Sequence, residues 1–293
     1  MNNNIKAIAL DIDGILIGKE TGQNFPLPCP DILNTIKLIN QKGILVILCT
    51  GRPFYTPVME TIINAARLDN FHIGDMGSLV MNPIRKEILI AKEFDKKTGF
   101  ALAKQLLDAG IYTSLYTPEN YFIQKDQINP EITPAMTKAI DTKPKIVDSL
   151  MSEIAENRVL YFISITKEKS KKEKIAQICL SFKNQINLLW SNNPSLAALY
   201  LGNILPPKIS KADSLQKLLK HLKIPFENVL GIGDGDVDWD FMKLCGYRAT
   251  LQNALPQVKQ SMATINDASH SFTGSDVDQN GVIEIFHHFN LLD

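Results

Sequence analysis

The feature that most constrains this chain is a short apolar run near its start that ends in two aspartates. Residues 6–10 read KAIAL, and Asp11, Asp13 and Gly14 follow. A continuous apolar run of this length is typical of a strand covered on both faces, as in a parallel sheet, although periodicity alone also permits a short buried helix. Ligands of open parallel sheets bind beyond the carboxyl ends of the strands. We therefore expect both carboxylates at a functional edge, with an ordinary Asp-Gly turn as the alternative.

A second apolar run also ends in polar residues. Residues 44–49 read ILVILC and are followed by Thr50-Gly51-Arg52-Pro53. Between the two runs, the spacing predicts a helix that begins near residues 28–31 and ends before Gly43. A right-handed β-α-β crossover makes the two strands parallel, which places Thr50 beside Asp11.

The last third of the chain contains two more polar segments that we expect at the same edge of the predicted sheet. Residues 210–213 read SKAD and resemble a capping box at the start of a helix, and a strand predicted over 228–232 ends in the acidic segment GDGDVDWD, residues 233–240. A lysine in the first helical turn opposes the helix dipole unless an anion lies nearby. This argument favours a functional role for Lys211, with Lys208 as the competing lysine.

The central part of the chain has a different pattern. From about Pro83 to Trp190 the predicted strands are amphipathic or hairpin-like, and they alternate with helices predicted over 96–109 and 170–181. Pro206-Pro207 marks the return to the first pattern. We therefore predict that residues 1–82 and 191–293 form a core domain and that residues 83–190 form a smaller inserted α/β domain.

Composition excludes several classes of protein. The chain has 293 residues, 45% of them apolar, and its 31 Lys plus Arg equal its 31 Asp plus Glu, so no net charge attracts nucleic acid or an anionic membrane. The four cysteines form no Cys-x-x-Cys pair, which argues against a zinc site or a redox dithiol. No leader and no apolar run near ~18 residues is evident, so a cytoplasmic location is expected. The sequence indicates no oligomeric state.

Together these motifs resemble the haloacid dehalogenase-like (HAD) phosphatases, specifically the Cof-type hydrolases of subclass IIB. The resemblance rests on the Asp11/Asp13 pair, Thr50-Gly51, Lys211 and the acidic segment 233–240, in this order and with the insertion before Lys211, and it covers essentially the whole chain. It implies an α/β fold with a Rossmann-like parallel-sheet core and an inserted smaller α/β cap domain that closes over the site.

The resemblance also implies a role for each site residue. Asp11 would be the nucleophile, and Asp13 would be the general acid and base. Mg²⁺ would be held by Asp11, the main-chain carbonyl of Asp13 and Asp234, with support from Asp238. The phosphoryl group would be bound by Thr50, the Gly51 amide and Lys211, and Asn253 lies where the family commonly has an asparagine near the site. Arg52 is left outside this set, because a helix-entry salt bridge explains it equally well.

The implied function is Mg²⁺-dependent hydrolysis of small phosphate monoesters, such as sugar or cofactor phosphates, through an aspartyl phosphate. The expected partner is a small phosphorylated metabolite rather than nucleic acid or a membrane. Two alternatives share the motifs: a weak or inactive sugar-phosphate-binding protein, and a phosphomutase. Three departures from the family pattern, Ile15, Met76 and Val237, leave the level of activity open.

A calcium-binding loop is a further alternative that the sequence disfavours. Residues 276–281 match the first half of an EF-hand loop, but His287 stands where that motif requires a bidentate glutamate.

Overall fold

The structure is a computed structural model that describes residues 4–191, 196, 198–265 and 267–292. The chain divides into two compact units. Unit 1 comprises Met1–Arg52, Val58–Ile90 and Ser210–Asp293, and unit 2 comprises Pro53–Pro57 and Ala91–Ile209. The units therefore change over after Ile90 and before Ser210, later in both cases than the predicted domain boundaries.

Unit 1 contains a five-stranded parallel sheet and a smaller three-stranded sheet. The parallel sheet consists of β1 (Ala7–Leu10), β2 (Leu45–Leu48), β12 (Val229–Ile232), β13 (Tyr247–Leu251) and β14 (Ser271–Gly274). The small sheet consists of β3 (His72–Gly74), β4 (Leu79–Asn82) and β5 (Glu87–Ala91). The helices are α1 (Pro30–Gln41), α2 (Pro57–Ala65), α7 (Lys211–Leu222), α8 (Asp236–Met242), α9 (Pro256–Ala263) and α10 (Gly281–His288).

The parallel sheet has the strand order β14-β13-β12-β1-β2, so the first strand of the chain lies between β2 and β12. All four residues of β1 are buried, as expected for a strand covered on both faces. In register, Leu10 lies beside Leu48 on one side and Ile232 on the other. The three strands therefore end at the same level, and the residues that follow them share one edge.

The helices of unit 1 follow the sequence signals closely. Helix α1 has Pro30 at its first position and buries Ile32, Ile36 and Ile39, and it ends just before Gly43, whose φ of +87° suits the left-handed conformation common after helices. Helix α7 has Ser210 as its N-cap, and the Ser210 hydroxyl accepts a hydrogen bond from the Asp213 amide at 3.1 Å. That cap fixes where Lys211 enters the helix.

Unit 2 contains a six-stranded sheet with the order β10-β11-β9-β6-β7-β8. Its strands are β6 (Tyr112–Tyr116), β7 (Tyr121–Gln124), β8 (Lys145–Val147), β9 (Tyr161–Thr166), β10 (Asn187–Ser191) and β11 (Tyr200–Leu205). Its helices are α3 (Lys96–Asp108), α4 (Ile132–Ile140), α5 (Leu150–Glu156) and α6 (Lys169–Ser181). Apolar residues of α3, α5 and α6 form one core with the sheet, which includes Leu106, Leu115, Phe162 and Ile178.

Strands β5 and β11 account for the shift of the unit boundaries. β5 joins the small sheet with β3 and β4, although its residues were predicted to open the inserted domain. β11 pairs antiparallel with β9 and β10 in the second sheet, although its residues were predicted to lie in the core. Proline and composition signals mark a change of pattern, but they do not reveal which sheet the flanking strand joins.

None of the helices within the part of the chain that the structure describes is both long and apolar enough to cross a membrane.

A buried histidine supports the end of β2. The His72 ring accepts a hydrogen bond from the Leu48 amide on Nδ1 at 3.2 Å, and Nε2 lies 3.1 Å from the Leu68 carbonyl oxygen. Since Nδ1 is an acceptor, Nε2 carries the proton and the ring is neutral. Burial lowers the pKa of His72 to about 4, slightly opposed by the Leu68 carbonyl.

This lowered pKa predicts a specific loss of stability in acid. Because the unfolded chain binds a proton on this histidine more readily, the stability contribution is complete above about pH 6.5 and is lost as the pH falls towards 4. We expect the unfolding free-energy difference between wild type and His72→Gln to change by about 3 kcal/mol between pH 7 and pH 4 in urea titrations. The exposed His287→Gln variant is the control. A difference for His72→Gln that does not vary with pH would contradict the assignment.

Candidate active site

The candidate site lies where β1, β2 and β12 end. Asp11 follows β1, Thr50 lies two residues beyond β2, and Asp234 lies two residues beyond β12. The Asp11 amide donates to the Ile232 carbonyl at 3.0 Å, and the Cys49 amide donates to the Leu10 carbonyl at 2.8 Å, so the parallel pairing extends to the site itself. The sheet therefore delivers these side chains to one edge.

Lys211 joins two carboxylates at this edge. Its ammonium nitrogen lies 2.8 Å from Asp11 Oδ1 and 2.7 Å from Asp238 Oδ1, and only 8% of its side chain is exposed. Burial opposes the charge, but the two carboxylates outweigh burial, so the pKa of Lys211 is raised above its usual value. The lysine is a fixed positive charge at neutral pH.

Asp238 is oriented through both of its oxygens. Oδ1 accepts from Lys211, and Oδ2 accepts from the Gly235 amide at 3.0 Å as part of the cap of α8. A Cβ atom on Gly233 would lie only 2.3 Å from Asp238 Cβ, so the chain needs glycine there to let the aspartate approach. Asp238 therefore orients the lysine and caps its own helix.

Three carboxylates lie close together here, and two of them contact the Lys211 ammonium group. One oxygen each from Asp11, Asp234 and Asp238 lies within 4.8 Å of the others. Burial, reinforced by the negative charge of Asp238, raises the pKa of Asp234 to about 7, and the same causes raise the pKa of Asp11 well above its usual range against the effect of Lys211. The negative charge exceeds the positive charge in a largely buried place.

This group of carboxylates suits a hard divalent cation. Asp11 and Asp234 offer oxygen ligands of the kind that Mg²⁺ prefers, and the uncompensated negative charge would be neutralised by a dication. Each Asp238 oxygen already accepts one hydrogen bond, from Lys211 or from the Gly235 amide, and its support of the metal stays a prediction. The predicted contribution of the Asp13 main-chain carbonyl stays a prediction.

Gly14 allows the loop after β1 to lie against Asp234. Its φ is +80°, and a Cβ atom there would lie 2.0 Å from Asp234 Oδ2. The Gly14 amide donates to the Ile17 carbonyl at 2.8 Å, which folds the loop back on itself. A side chain at this position would be both strained and in collision with a predicted metal ligand.

Asp13 makes a bidentate pair with Arg52. Arg52 Nε donates to Asp13 Oδ2 at 2.8 Å, and a terminal nitrogen donates to Oδ1 at 2.6 Å. Such a fork fixes the plane of the carboxylate as well as its position. Sequence reasoning left Arg52 outside the site, and the signal that could have included it is its place one residue after Thr50-Gly51.

Thr50 is fully buried at the end of β2. Its amide donates to the Ile73 carbonyl at 2.9 Å, and its hydroxyl oxygen accepts from the Arg52 amide at 3.1 Å. The hydroxyl proton is then available to another acceptor, such as a phosphoryl oxygen. Binding of phosphate by Thr50 and by the Gly51 amide stays a prediction.

Asn253 makes structural hydrogen bonds with both ends of its side chain. Its amide nitrogen donates to the Gly14 carbonyl at 2.7 Å, and its oxygen accepts from the Val277 amide at 2.9 Å. Asn24 in turn donates to the Val277 carbonyl at 2.7 Å. Asn253 thus ties the loop that carries Asp13 to the turn before α10, which is a different task from the predicted contact with phosphate.

The segment that resembles a calcium loop uses its side-chain oxygens for hydrogen bonds to the protein. Asp276 Oδ1 accepts from the Asp278 amide, Asp278 Oδ1 accepts from the Asn24 amide, and Asn280 Oδ1 accepts from Gln23 and Asn24. The oxygens of Asp278 and Asn280 thus hold the loop before α1, and that of Asp276 holds its own turn.

Comparison with known proteins gives a consistent picture. A family profile described as haloacid dehalogenase-like hydrolase matches residues 8–285. The chain is 24% identical, over 95% of its length and 96% of the relative, to a 5-amino-6-(5-phospho-D-ribitylamino)uracil phosphatase of Bacillus subtilis.

Solved structures share the fold of this chain. A haloacid dehalogenase-like hydrolase from Bacteroides thetaiotaomicron superposes with a TM-score of 0.81 at 20% identity, covering 97% of this chain and 98% of the other. A sugar phosphatase of HAD subclass IIB superposes with a TM-score of 0.74 at 17% identity, covering 98% and 99%. The predicted parallel-sheet α/β fold is confirmed.

The hydrogen bonds of Asn253 predict a measurable stability effect. Asn253→Ala leaves the Gly14 carbonyl and the Val277 amide without these partners, so we expect a loss of about 1–3 kcal/mol in unfolding free energy. The neighbouring Gln252→Ala change, at an exposed side chain, should stay within about 0.5 kcal/mol of wild type. Urea denaturation measures both, and equal values would show that the Asn253 contacts contribute nothing.

The carboxylate group predicts stabilisation by Mg²⁺. A cation that binds only the folded chain raises the unfolding free energy in proportion to the logarithm of its concentration once the site is saturated. We expect this increment in wild type and in Asp240→Asn, an exposed change on α8, but not in Asp234→Asn. A wild-type protein insensitive to Mg²⁺, or an undiminished increment in Asp234→Asn, would contradict the assignment.

Proposed function

The chain belongs to the haloacid dehalogenase-like hydrolase family, and from that premise we propose that it is a Mg²⁺-dependent phosphatase of small phosphate monoesters, such as sugar or cofactor phosphates. The observation that carries the proposal is the buried Asp11 carboxylate, held by Lys211 at the shared edge of three parallel strands. A nucleophile needs such fixed placement more than it needs exposure.

Phosphoryl transfer depends mainly on positioning and on neutralising the equatorial oxygens. Lys211 supplies a permanent positive charge next to Asp11, and the Thr50 hydroxyl has a proton to donate. A bound Mg²⁺, held by Asp11 and Asp234, would supply further charge neutralisation for the phosphate. Lys211 and the bound cation together would offset the acidic side chains, so the site would favour an anionic substrate.

The proposed reaction has two displacements. An Asp11 oxygen attacks phosphorus, the ester P–O bond breaks, and the leaving oxygen takes the proton of Asp13, which enters this step as the neutral carboxylic acid and leaves it as the carboxylate. A water molecule then loses a proton to Asp13 and attacks phosphorus, which breaks the acyl-phosphate bond and restores Asp11. Between the two displacements Arg52 holds the ionised Asp13 carboxylate in one plane, and 54% of the Asp13 side chain is exposed, so an ester and water have access to it.

The class of substrate is inferred from the relatives. The Bacillus subtilis relative is named for a phosphorylated ribityl compound, and one structural neighbour is described as a sugar phosphatase. Both names fit a small polyhydroxy phosphate ester, which is the substrate class that we propose for this chain. The assignment of residues 83–190 as a cap that selects the substrate stays a prediction.

Replacement of the nucleophile tests the proposal. Asp11→Asn should lower phosphate release from a panel of sugar and cofactor phosphates by more than about 10³-fold, because an amide cannot form the acyl phosphate. Asp240→Asn, a change of the same kind at an exposed position, should keep wild-type turnover.

The product pattern separates this proposal from the two alternatives. A folded Asp11→Asn variant with wild-type turnover would contradict the role of Asp11. Transfer of phosphate to a second hydroxyl without release would indicate a mutase. Wild-type protein that binds the esters but releases no phosphate would indicate a binding protein.

A further inference from the structure

An unusual backbone turn follows β3. Asp75, Met76 and Gly77 have consecutive φ values of 52°, 56° and 93°. The left-handed region is disfavoured for residues that carry a Cβ atom, and such conformations persist where the surrounding structure determines them. The contacts on each side of this turn, which we call the left-handed turn, show what determines it.

The first contact is with the loop after β2. The Thr50 amide donates to the Ile73 carbonyl, and the Asp75 amide donates to the Arg52 carbonyl, both at 2.9 Å. The Met76 side chain lies over Gly51, since a Cβ atom added to Gly51 would be 3.5 Å from Met76 Cγ. The residues after β2 are therefore held by β3 at Thr50, by the backbone of the left-handed turn at Arg52, and by the Met76 side chain at Gly51.

The second contact is with the start of α7. A Cβ atom on Gly77 would lie 2.6 Å from the Ser210 carbonyl carbon and oxygen, and 2.9 Å from the Lys211 amide nitrogen. The fully buried Ser214 donates its hydroxyl proton to the Gly77 carbonyl at 2.6 Å. The turn is thus packed directly on the residues that place Lys211.

We propose that Met76 and Gly77 are positioning residues that set the separation between the Thr50–Gly51 loop and Lys211, and so assemble one phosphate-binding site from two elements. This inference rests on the proposed function, because it concerns how that site binds phosphate. Neither residue needs to touch the substrate. Met76 fixes the loop, and the missing side chain of Gly77 lets the first turn of α7 approach.

A matched pair of glycine substitutions tests the proposal. Gly77→Ala introduces a Cβ atom at a positive φ and against Ser210, whereas Gly43→Ala introduces one at a similar φ of +87° with nothing within 4 Å. Both variants carry the same kind of backbone strain, so a difference between them isolates the collision. The measurements are the dissociation constant of inorganic phosphate, kcat and KM for a phosphate monoester, and the urea midpoint.

Gly77→Ala should weaken phosphate binding and lower kcat by at least about tenfold, since displacements near an ångström cost up to about 10²-fold in such sites. Gly43→Ala should stay within about twofold of wild type for both quantities. A folded Gly77→Ala variant that loses stability but keeps the phosphate affinity and kcat of Gly43→Ala would overturn the proposal, because that is the result of a merely structural role.

A second pair of variants, with smaller changes, tests the positioning role of the turn if Gly77→Ala does not fold. Ser214→Ala removes the hydrogen bond to Gly77, and Ser114→Ala removes a buried serine hydrogen bond to the Ile163 carbonyl in unit 2. We expect Ser214→Ala to weaken phosphate binding at least about threefold and Ser114→Ala to leave it unchanged. Equal affinities would overturn the proposal.

The wild-type protein separates this proposal from the function on which it rests. Wild type that binds inorganic phosphate but hydrolyses no ester would contradict the phosphatase proposal, and the phosphate affinities of the variants would still decide the role of the turn. Wild type that binds no phosphate would overturn both.

Discussion

A buried ammonium group has to be neutralised, and the way Lys211 is neutralised organises this site. Removing a charge from water costs several kcal/mol, which is recovered only with close, well-oriented partners. Asp11 and Asp238 provide them at 2.8 and 2.7 Å; Asp11 directly follows β1, and Asp238 lies in the first turn of α8. Asp234 then adds a third carboxylate that the single lysine cannot balance. The cluster of three carboxylates and one lysine therefore carries excess negative charge, which a bound cation would neutralise.

Much of the fold could be predicted because its strands are buried on both faces. The runs at 7–10 and 44–49 and the segment 228–232 correspond to the observed strands β1, β2 and β12, and the order of polar residues after them indicates one shared edge. The structure brings Asp11, Lys211, Asp234 and Asp238 together at that edge. Asp238 accepts hydrogen bonds from Lys211 and from the Gly235 amide, and the separate roles of Asp234 and Asp238 toward a metal stay predictions.

The remainder depends on contacts that no local pattern encodes. Arg52 pairs with Asp13 across 39 positions of sequence, and Asn253 reaches Gly14 across 239. The positive φ of Met76 could not be predicted, because methionine has no preference for the left-handed region and only the packing of the turn imposes it. The positions of β5 and β11 were missed for a related reason, since a strand pattern does not specify which sheet the strand joins.

The central claim is that Asp11 becomes phosphorylated, and a chemical trap tests it most directly. An acyl phosphate is reduced by borohydride to an alcohol, so turnover quenched in acid and then treated with borohydride would convert a phosphorylated aspartate to homoserine. Peptide mass spectrometry should find this conversion at Asp11 in samples quenched with substrate present and not in samples without substrate. Conversion at another aspartate, or none at Asp11 during active turnover, would contradict the account.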